Sequence, residues 1–366
     1  MRFRYSAQED GTLVKKAVVY TSDEHGIDAA FVDTDAVLII KRLRQAGYEG
    51  YIVGGAVRDL ILKLKPKDFD IVSNATPSQI RKLFHNSRII GQRFRLVHVT
   101  LSNKIFEVCT FRSLKEGSTG NVFGTIEEDV LRRDFTINAL FYEPIDELIV
   151  DYVDGLRDIQ EKRIRPIIPL ATIFQEDPVR MIRAVKYSVL TDFKLPAQLK
   201  QKIQQQAALL ATVSASRRTE ELFKIIHSSS AGEIVDKLNS LDLYIYLQHS
   251  AALLMQERAD FRTRYLSTLS NIAAEEPGAD LAALVRDYLN DTTDWHNDED
   301  ETYKSVFHAA RHFILPMSPP RVNLDKAVRL IFKEHGIIIE QACYSDCLRQ
   351  STEKPVFNRQ RHRPHH

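Results

Sequence analysis

The run from Tyr51 to Val72, YIVGGAVRDLILKLKPKDFDIV, narrows most what this chain can fold into. A short apolar stretch ends at two glycines, an apolar run with helical character follows, Pro66 excludes further helix, and Phe69 to Val72 reads as a strand. The pattern is therefore strand, Gly-Gly turn, helix, strand. Upstream, Val37, Ile40, Leu43 and Ala46 recur at helical spacing, with Asp35 as N-cap and an end near Gly47. Downstream, Thr76 and Pro77 open a second helix that stops before Asn86. RLVHVTLSN and KIFEVCTFR predict a hairpin turning at residues 102–104. SLKEGSTGN reads as a polar loop, Ile126 through RRDFTINALFY as helical, and IDELIVDYVDG as strand. These elements predict an α+β unit on a mostly antiparallel or mixed sheet, preceded by an extended arm over residues 1–34.

From Arg157 onward strands give way to long helical segments, among them EDPVRMIRAVKYSVL, ASRRTEELFKIIHS, AGEIVDKLNSLDLYIYLQ and NLDKAVRLIFKEHG. The boundary is expected near residues 166–169. A chain of 366 residues accommodates two or three folded units. With 44% hydrophobic and 27% charged residues, disordered and collagen-like classes are excluded. Fifty Lys and Arg against 49 Asp and Glu leave a net charge of +1, so a polyanionic partner needs a local basic surface. Three cysteines, Cys109, Cys343 and Cys347, form no CxxC and argue against a disulfide framework or a structural zinc. The apolar runs are too short for a bilayer, and MRFRYSAQEDG has no apolar signal core, so the expectation is a cytoplasmic protein without a membrane partner. The acidic stretch DTTDWHNDEDE and the basic end NRQRHRPHH read as solvated surface or chain end.

Asp68 and Asp70 stand two apart in KDFDIV, a spacing that sets two carboxylates on one face of a strand. Two bare carboxylates repel, and a divalent cation with substrate phosphates relieves them. Alone, such a pair is an ordinary solvated strand end. Gly54 and Gly55 change that: without Cβ atoms, their backbone N–H groups can approach a polyphosphate, and Arg58 and Asp59 follow one turn later. Glu107, in FEVCTFR, shares parity with Cys109 and Phe111 and completes a three-carboxylate site if its strand neighbours that of Asp70.

IVGGAVRDLILKLKPKDFDIVSNATPSQIRKLF, FEVCTFR, IEEDVLRRDFTINALFY, GLRDI and EDPVRMIRAVKYS occur in that order and together resemble the class II nucleotidyltransferases. That family contains CCA-adding tRNA nucleotidyltransferases and bacterial poly(A) polymerases. The resemblance implies a polymerase-β-type head domain over residues 35–165, followed by all-α parts. These would be a base-reading neck at 166–230, an RNA-holding body and tail at 231–350 and a basic end at 351–366. It implies that Asp68, Asp70 and Glu107 are catalytic and hold two Mg²⁺ ions. Gly54, Gly55, Arg58, Arg132, Arg133, Asp134 and Asn138 would bind the nucleotide, with Asp134 on the ribose 2′-hydroxyl. Glu176, Asp177 and Arg180 would face the base, and Arg183 the phosphates.

Within the family, IIGQRFRLVHV resembles the poly(A) polymerase pattern, with Arg93, Phe94, Arg95, Leu96 and His98 in place and Gln92 where a basic residue is usual. Two arginines flanking an aromatic suit RNA binding. The implied activity is template-independent addition of AMP from ATP to RNA 3′ ends, with pyrophosphate released. CCA or A addition to tRNA is the alternative. A nonenzymatic RNA-binding module is disfavoured by the intact carboxylates, and a small-molecule nucleotidyltransferase by the long helical half.

Overall fold

The computed structural model describes residues 2–7, 13–91, 96–114, 122–272, 276–295 and 299–339. The chain divides into two compact units, Met1–Arg180 with Leu190–Lys202, and Met181–Val189 with Ile203–His366.

The first unit is built on one nine-stranded mixed sheet, as the α+β expectation requires. Its strands are β1 (Arg2–Ala7), β2 (Leu13–Tyr20), β3 (Gly50–Val53), β4 (Asp70–Ser73) and β5 (Ser87–Ile90). β6 (Leu96–Leu101), β7 (Lys104–Thr110), β8 (Leu140–Glu143) and β9 (Leu148–Asp151) complete it. They lie in the order β1-β2-β9-β8-β3-β4-β7-β6-β5, and β4 with β7 is the parallel pair. The helices are α1 (Ser22–His25), α2 (Thr34–Gln45), α3 (Gly55–Ile61), α4 (Pro77–Leu83), α5 (Ile126–Leu131), α6 (Gly155–Gln160) and α7 (Ile173–Glu176).

Alternation along the strands makes two cores. Ile52, Ile71, Val97 and Val108, all fully buried, point to one face, which α2, α3 and α4 cover. Tyr51, Val53, Val72, Phe111 and Phe141 point to the other and pack with Ile126 and Val130 of α5. There the rings of Tyr51, Phe111 and Phe141 stand 5.9 to 6.4 Å apart. The aromatic wedge covers the middle of this face.

Several local expectations change. Residues 1–34 are no plain arm: β1 and β2 extend the sheet, with β2 antiparallel to β9 and its Ala17, Val18 and Val19 buried. The helix expected to start at Asp35 is capped two residues earlier, because the Asp33 carboxylate accepts from the Asp35 and Ala36 amides. Asp35 instead accepts from Ser102 Oγ in the β6–β7 turn. The helical reading of residues 126–142 breaks after Leu131. Asp129 gathers Arg132 and Arg133, a 3-10 turn follows at Thr136–Asn138, and the chain leaves as β8. The apolar run in ALFY is strand because Phe141 pairs with Val53 in mid-sheet.

The second unit is helical. α8 (Val179–Leu190) and α9 (Ala197–Gln206) each have residues in both units. α10 (Ala215–Ile226), α11 (Ala231–Asn239), α12 (His249–Glu257), α13 (Ala259–Ser270), α14 (Ala279–Thr292), α15 (Glu299–Phe313) and α16 (Arg321–Glu334) follow. Gly232 lets α11 meet α13 at short range, since a Cβ there would fall 2.4 Å from Leu266 O. The buried Lys186–Glu221 pair, at 3.2 Å, ties α8 to α10. Among the described residues no helix is long and apolar enough to cross a membrane.

Candidate active site

β3 ends at Gly54, whose φ of 73° and ψ of −135° suit glycine, and the chain turns directly into α3. This turn fixes where β4 begins. Val53 pairs with Asp70, and beyond it β3 offers no ladder partner. Asp68 therefore lies in the lead-in to β4, not on the strand with Asp70 as its spacing predicts. The turn and the carboxylate are close, for a Cβ on Gly54 would lie 3.9 Å from Asp70 Oδ2.

The third acid arrives through the parallel pair. Ile71 is opposite Val108 and Val72 opposite Cys109, so the register one step earlier sets Asp70 beside Glu107 on the same face. Asp70 keeps an open side to solvent. Burial of the rest, with Glu107 and Asp68 nearby, pushes its carboxyl up to about 6, and Arg133 pulls the other way. Glu107 leans along the sheet instead, its Oε1 3.5 Å from Nε2 of the cross-strand residue His98. Among the described residues no three His, Cys, Asp or Glu side chains are drawn together as a ligand set. Asp68 and Asp70 still fit a hard cation: oxygen donors with too little positive charge around them, in a number that suffices for Mg²⁺ when phosphates complete its shell.

The RRDFTIN segment forms the adjoining wall. Arg58, 6% exposed, donates through Nε and Nη2 to Asp59 Oδ1 and through Nη1 to Asn138 Oδ1 at 2.8 Å. Asn138 Nδ2 reaches Asp134 Oδ1 at 3.4 Å, and the same oxygen accepts from the Phe135 amide. One buried network thus joins the helix after the Gly-Gly turn to the turn that carries Asp134. Arg132 and Arg133 converge on Asp129, which is fully buried. Arg133 also donates to Asn138 O at 3.1 Å and lies 5.0 Å above the Phe141 ring. Burial raises the Asp129 carboxyl, but the two guanidiniums outweigh it and leave the pKa below the usual range.

The EDPVR segment does not put Asp177 and Arg180 together on one helix. Asp177 is extended, with φ −151°, and its carboxylate caps α8 by accepting from the Val179 amide. Arg180 pairs with Glu176 at 3.0 Å and donates to Arg132 O at 3.3 Å, which brings two of the three expected base-facing residues to the RRD segment. Arg183 belongs to the second unit, where it lies 5.5 Å from the Tyr187 ring. Arg93, Phe94 and Arg95 lie outside the described residues.

Three buried acids escaped the reading of the sequence. Asp129 binds the two arginines. Asp151 accepts the amides of Val153, Gly155 and Leu156 and so starts α6. Asp158 takes Thr136 Oγ, Arg163 and Arg165. For Asp129 a signal existed, since Arg132 and Arg133 stand at i+3 and i+4 from it.

Comparison with known proteins agrees with this architecture. The sequence profile "Poly A polymerase head domain" matches residues 50–165, and "Probable RNA and SrmB- binding site of polymerase A" matches residues 192–253. Poly(A) polymerase I of Salmonella typhi is 42% identical over 255 residues, which cover 65% of this chain and 55% of that protein. The chain thus spans about half the length of that relative. The CCA-adding enzyme of Bacillus pumilus is 35% identical over 217 residues, 58% of this chain and 54% of that protein. The crystal structure of the Bacillus stearothermophilus CCA-adding enzyme in complex with CTP superposes with a TM-score of 0.58 at 27% identity, covering 82% of each chain. Residues 50–165 are thus similar to a poly(A) polymerase head domain, and the chain is similar over 65% of its length to a poly(A) polymerase I and over 58% to a CCA-adding enzyme.

Proposed function

We propose that this protein adds AMP from ATP to RNA 3′ ends without a template, releasing pyrophosphate. The observation that carries the reading is the β4–β7 register, which sets Asp70 beside Glu107 at the mouth of the Gly54 turn. Asp68 and Asp70 would hold the two Mg²⁺ ions, and Glu107, now turned to His98, would assist. Bound magnesium supplies Lewis-acid charge neutralisation for phosphoryl transfer.

The chain's own residues hold and orient the nucleotide. Gly54 and Gly55 leave room for the triphosphate beside α3, and Arg132 and Arg133 supply positive charge near it. Asp134, held through Asn138 and Arg58, would read the ribose 2′-hydroxyl. Glu176, Asp177 and Arg180 serve the base. Arg93, Phe94 and Arg95 would grip RNA. We retain the division of the helical part into a neck at 166–230 and an RNA-holding body and tail at 231–350. We assign the activity to the cytoplasm, where ATP and RNA ends meet in a reducing medium.

CCA addition to tRNA is the second reading, favoured by the likeness to a solved CCA-adding enzyme. The match of residues 192–253 to an RNA-binding segment of polymerase A supports the first. Extension of two labelled primers separates them: a generic RNA ending in A, and a tRNA lacking its CCA end, each with Mg²⁺ and ATP, CTP or both. Long ladders on the generic RNA with ATP alone are expected. Addition that stops once tRNA carries CCA would overturn the poly(A) reading.

A further inference from the structure

Asp129 is fully buried, yet its carboxylate is satisfied entirely by groups of the nucleotide-facing wall and its neighbour strand. Oδ2 accepts from Arg133 Nε at 3.1 Å and Nη2 at 2.8 Å. Oδ1 accepts from Arg132 Nε at 2.9 Å, Arg132 Nη2 at 2.6 Å and the Arg112 amide at 3.2 Å. Both arginines thus present the same edge, Nε with Nη2, to one anion.

They differ in what remains. Arg133 spends Nη1 on Asn138 O, lies 5.0 Å over the Phe141 ring and is 15% exposed, so all three of its nitrogens are engaged by the fold. Arg132 is 29% exposed, and its Nη1 makes no hydrogen bond among the described residues. The arrangement is directional. Phe141 and Asn138 hold Arg133, Arg133 and the Arg112 amide orient Asp129, and Asp129 clamps Arg132 with one corner of the guanidinium open. Two donors on one guanidinium edge converging on a single carboxylate oxygen fix the direction of the guanidinium as well as its position.

We infer that Asp129 is a positioning residue for the nucleotide: it presents Arg132 Nη1 to a phosphate of the incoming NTP, while Arg133 serves as its anchor. The inference rests on the proposed function, because it takes residues 132–138 as the nucleotide-binding wall. It assigns different work to two arginines that adjoin in sequence.

The test measures ATP binding at equilibrium, and kcat and KM for ATP in RNA extension, for the wild type, Asp129→Asn, Arg132→Gln, Arg132→Lys and the double variant Asp129→Asn/Arg132→Gln. A thermal melt of each accompanies them, since loss of a buried anion between two arginines costs stability. Asp129→Asn is expected to raise the KM for ATP about tenfold with kcat changed less than about threefold. It should add nothing to KM once Arg132 is already Gln. Arg132→Lys, which keeps the charge and loses the fork, should match Arg132→Gln.

A wild-type KM in Asp129→Asn, or an equal added factor in the double variant, overturns the inference while the proposed function stands. If Asp129→Asn does not fold, the Arg132 pair decides: a wild-type KM in Arg132→Lys overturns it, and a KM equal to that of Arg132→Gln supports it. A wild type that neither binds ATP nor extends RNA overturns the proposed function, and the inference with it.

Discussion

At the scale of single residues, the site is set by carboxylates in unlike surroundings. Asp70 is pushed up to about 6 by burial and by Glu107 and Asp68, whereas Asp129 is held low between two arginines. For Asp70 the sign of the linkage follows directly. Between the ordinary carboxylate value and about 6 the folded protein holds a proton that the unfolded chain has released, so stability falls as pH rises through that window. A cation at Asp70 removes the cost. Mg²⁺ should therefore raise the melting temperature more at pH 7.5 than at pH 5, and half-saturation should need more Mg²⁺ as pH drops below about 6. A Mg²⁺ response independent of pH would contradict this. Arg180, locked to Glu176 and to Arg132 O, should act on base choice more than on rate. Arg180→Ala is expected to shrink the ratio of kcat/KM for ATP over CTP, and an unchanged ratio would remove it from base reading.

At the scale of elements, β3, β4 and β9, the Gly-Gly turn, the Thr76-capped helix and the β6–β7 hairpin were readable, because each depends on local periodicity and turn chemistry. What joins them was not. That β4 and β7 run parallel, and so bring Glu107 to Asp70, is a matter of sheet order, which no local pattern encodes. The segment after Leu131 misled because Arg132, Arg133 and Asp134 continue a helical spacing while Asp129 and Asp158 draw their partners into a turn. Asp177 misled in the same way, since Pro178 and the capping contact to Val179 break the helical face assumed for EDPVR.

Gly155 shows how tightly that turn is held. It lies at the start of α6, and a Cβ there would fall 2.3 Å from Thr136 O, a backbone atom that cannot swing away. Gly155→Ala should cost about 1–3 kcal/mol by overpacking and, by shifting Thr136, raise the KM for ATP. A melting temperature and KM equal to those of the wild type would show that the turn has slack.

At the scale of the molecule, a mixed-sheet unit carries the carboxylates and the arginine wall, and a helical unit carries most of the segment that resembles an RNA-binding region. With a net charge of +1, grip on RNA must come from local basic surface, so changes at the carboxylates should leave it nearly intact. The proposed activity depends on Asp68 and Asp70. The most direct measurement is pyrophosphate release from ATP on a generic RNA primer, with and without Mg²⁺, in the wild type, Asp68→Ala and Asp70→Ala, with RNA affinity measured in parallel. Mg²⁺-dependent release is expected in the wild type and none in either variant, with RNA affinity within about twofold throughout. Sustained release in either variant would contradict that dependence.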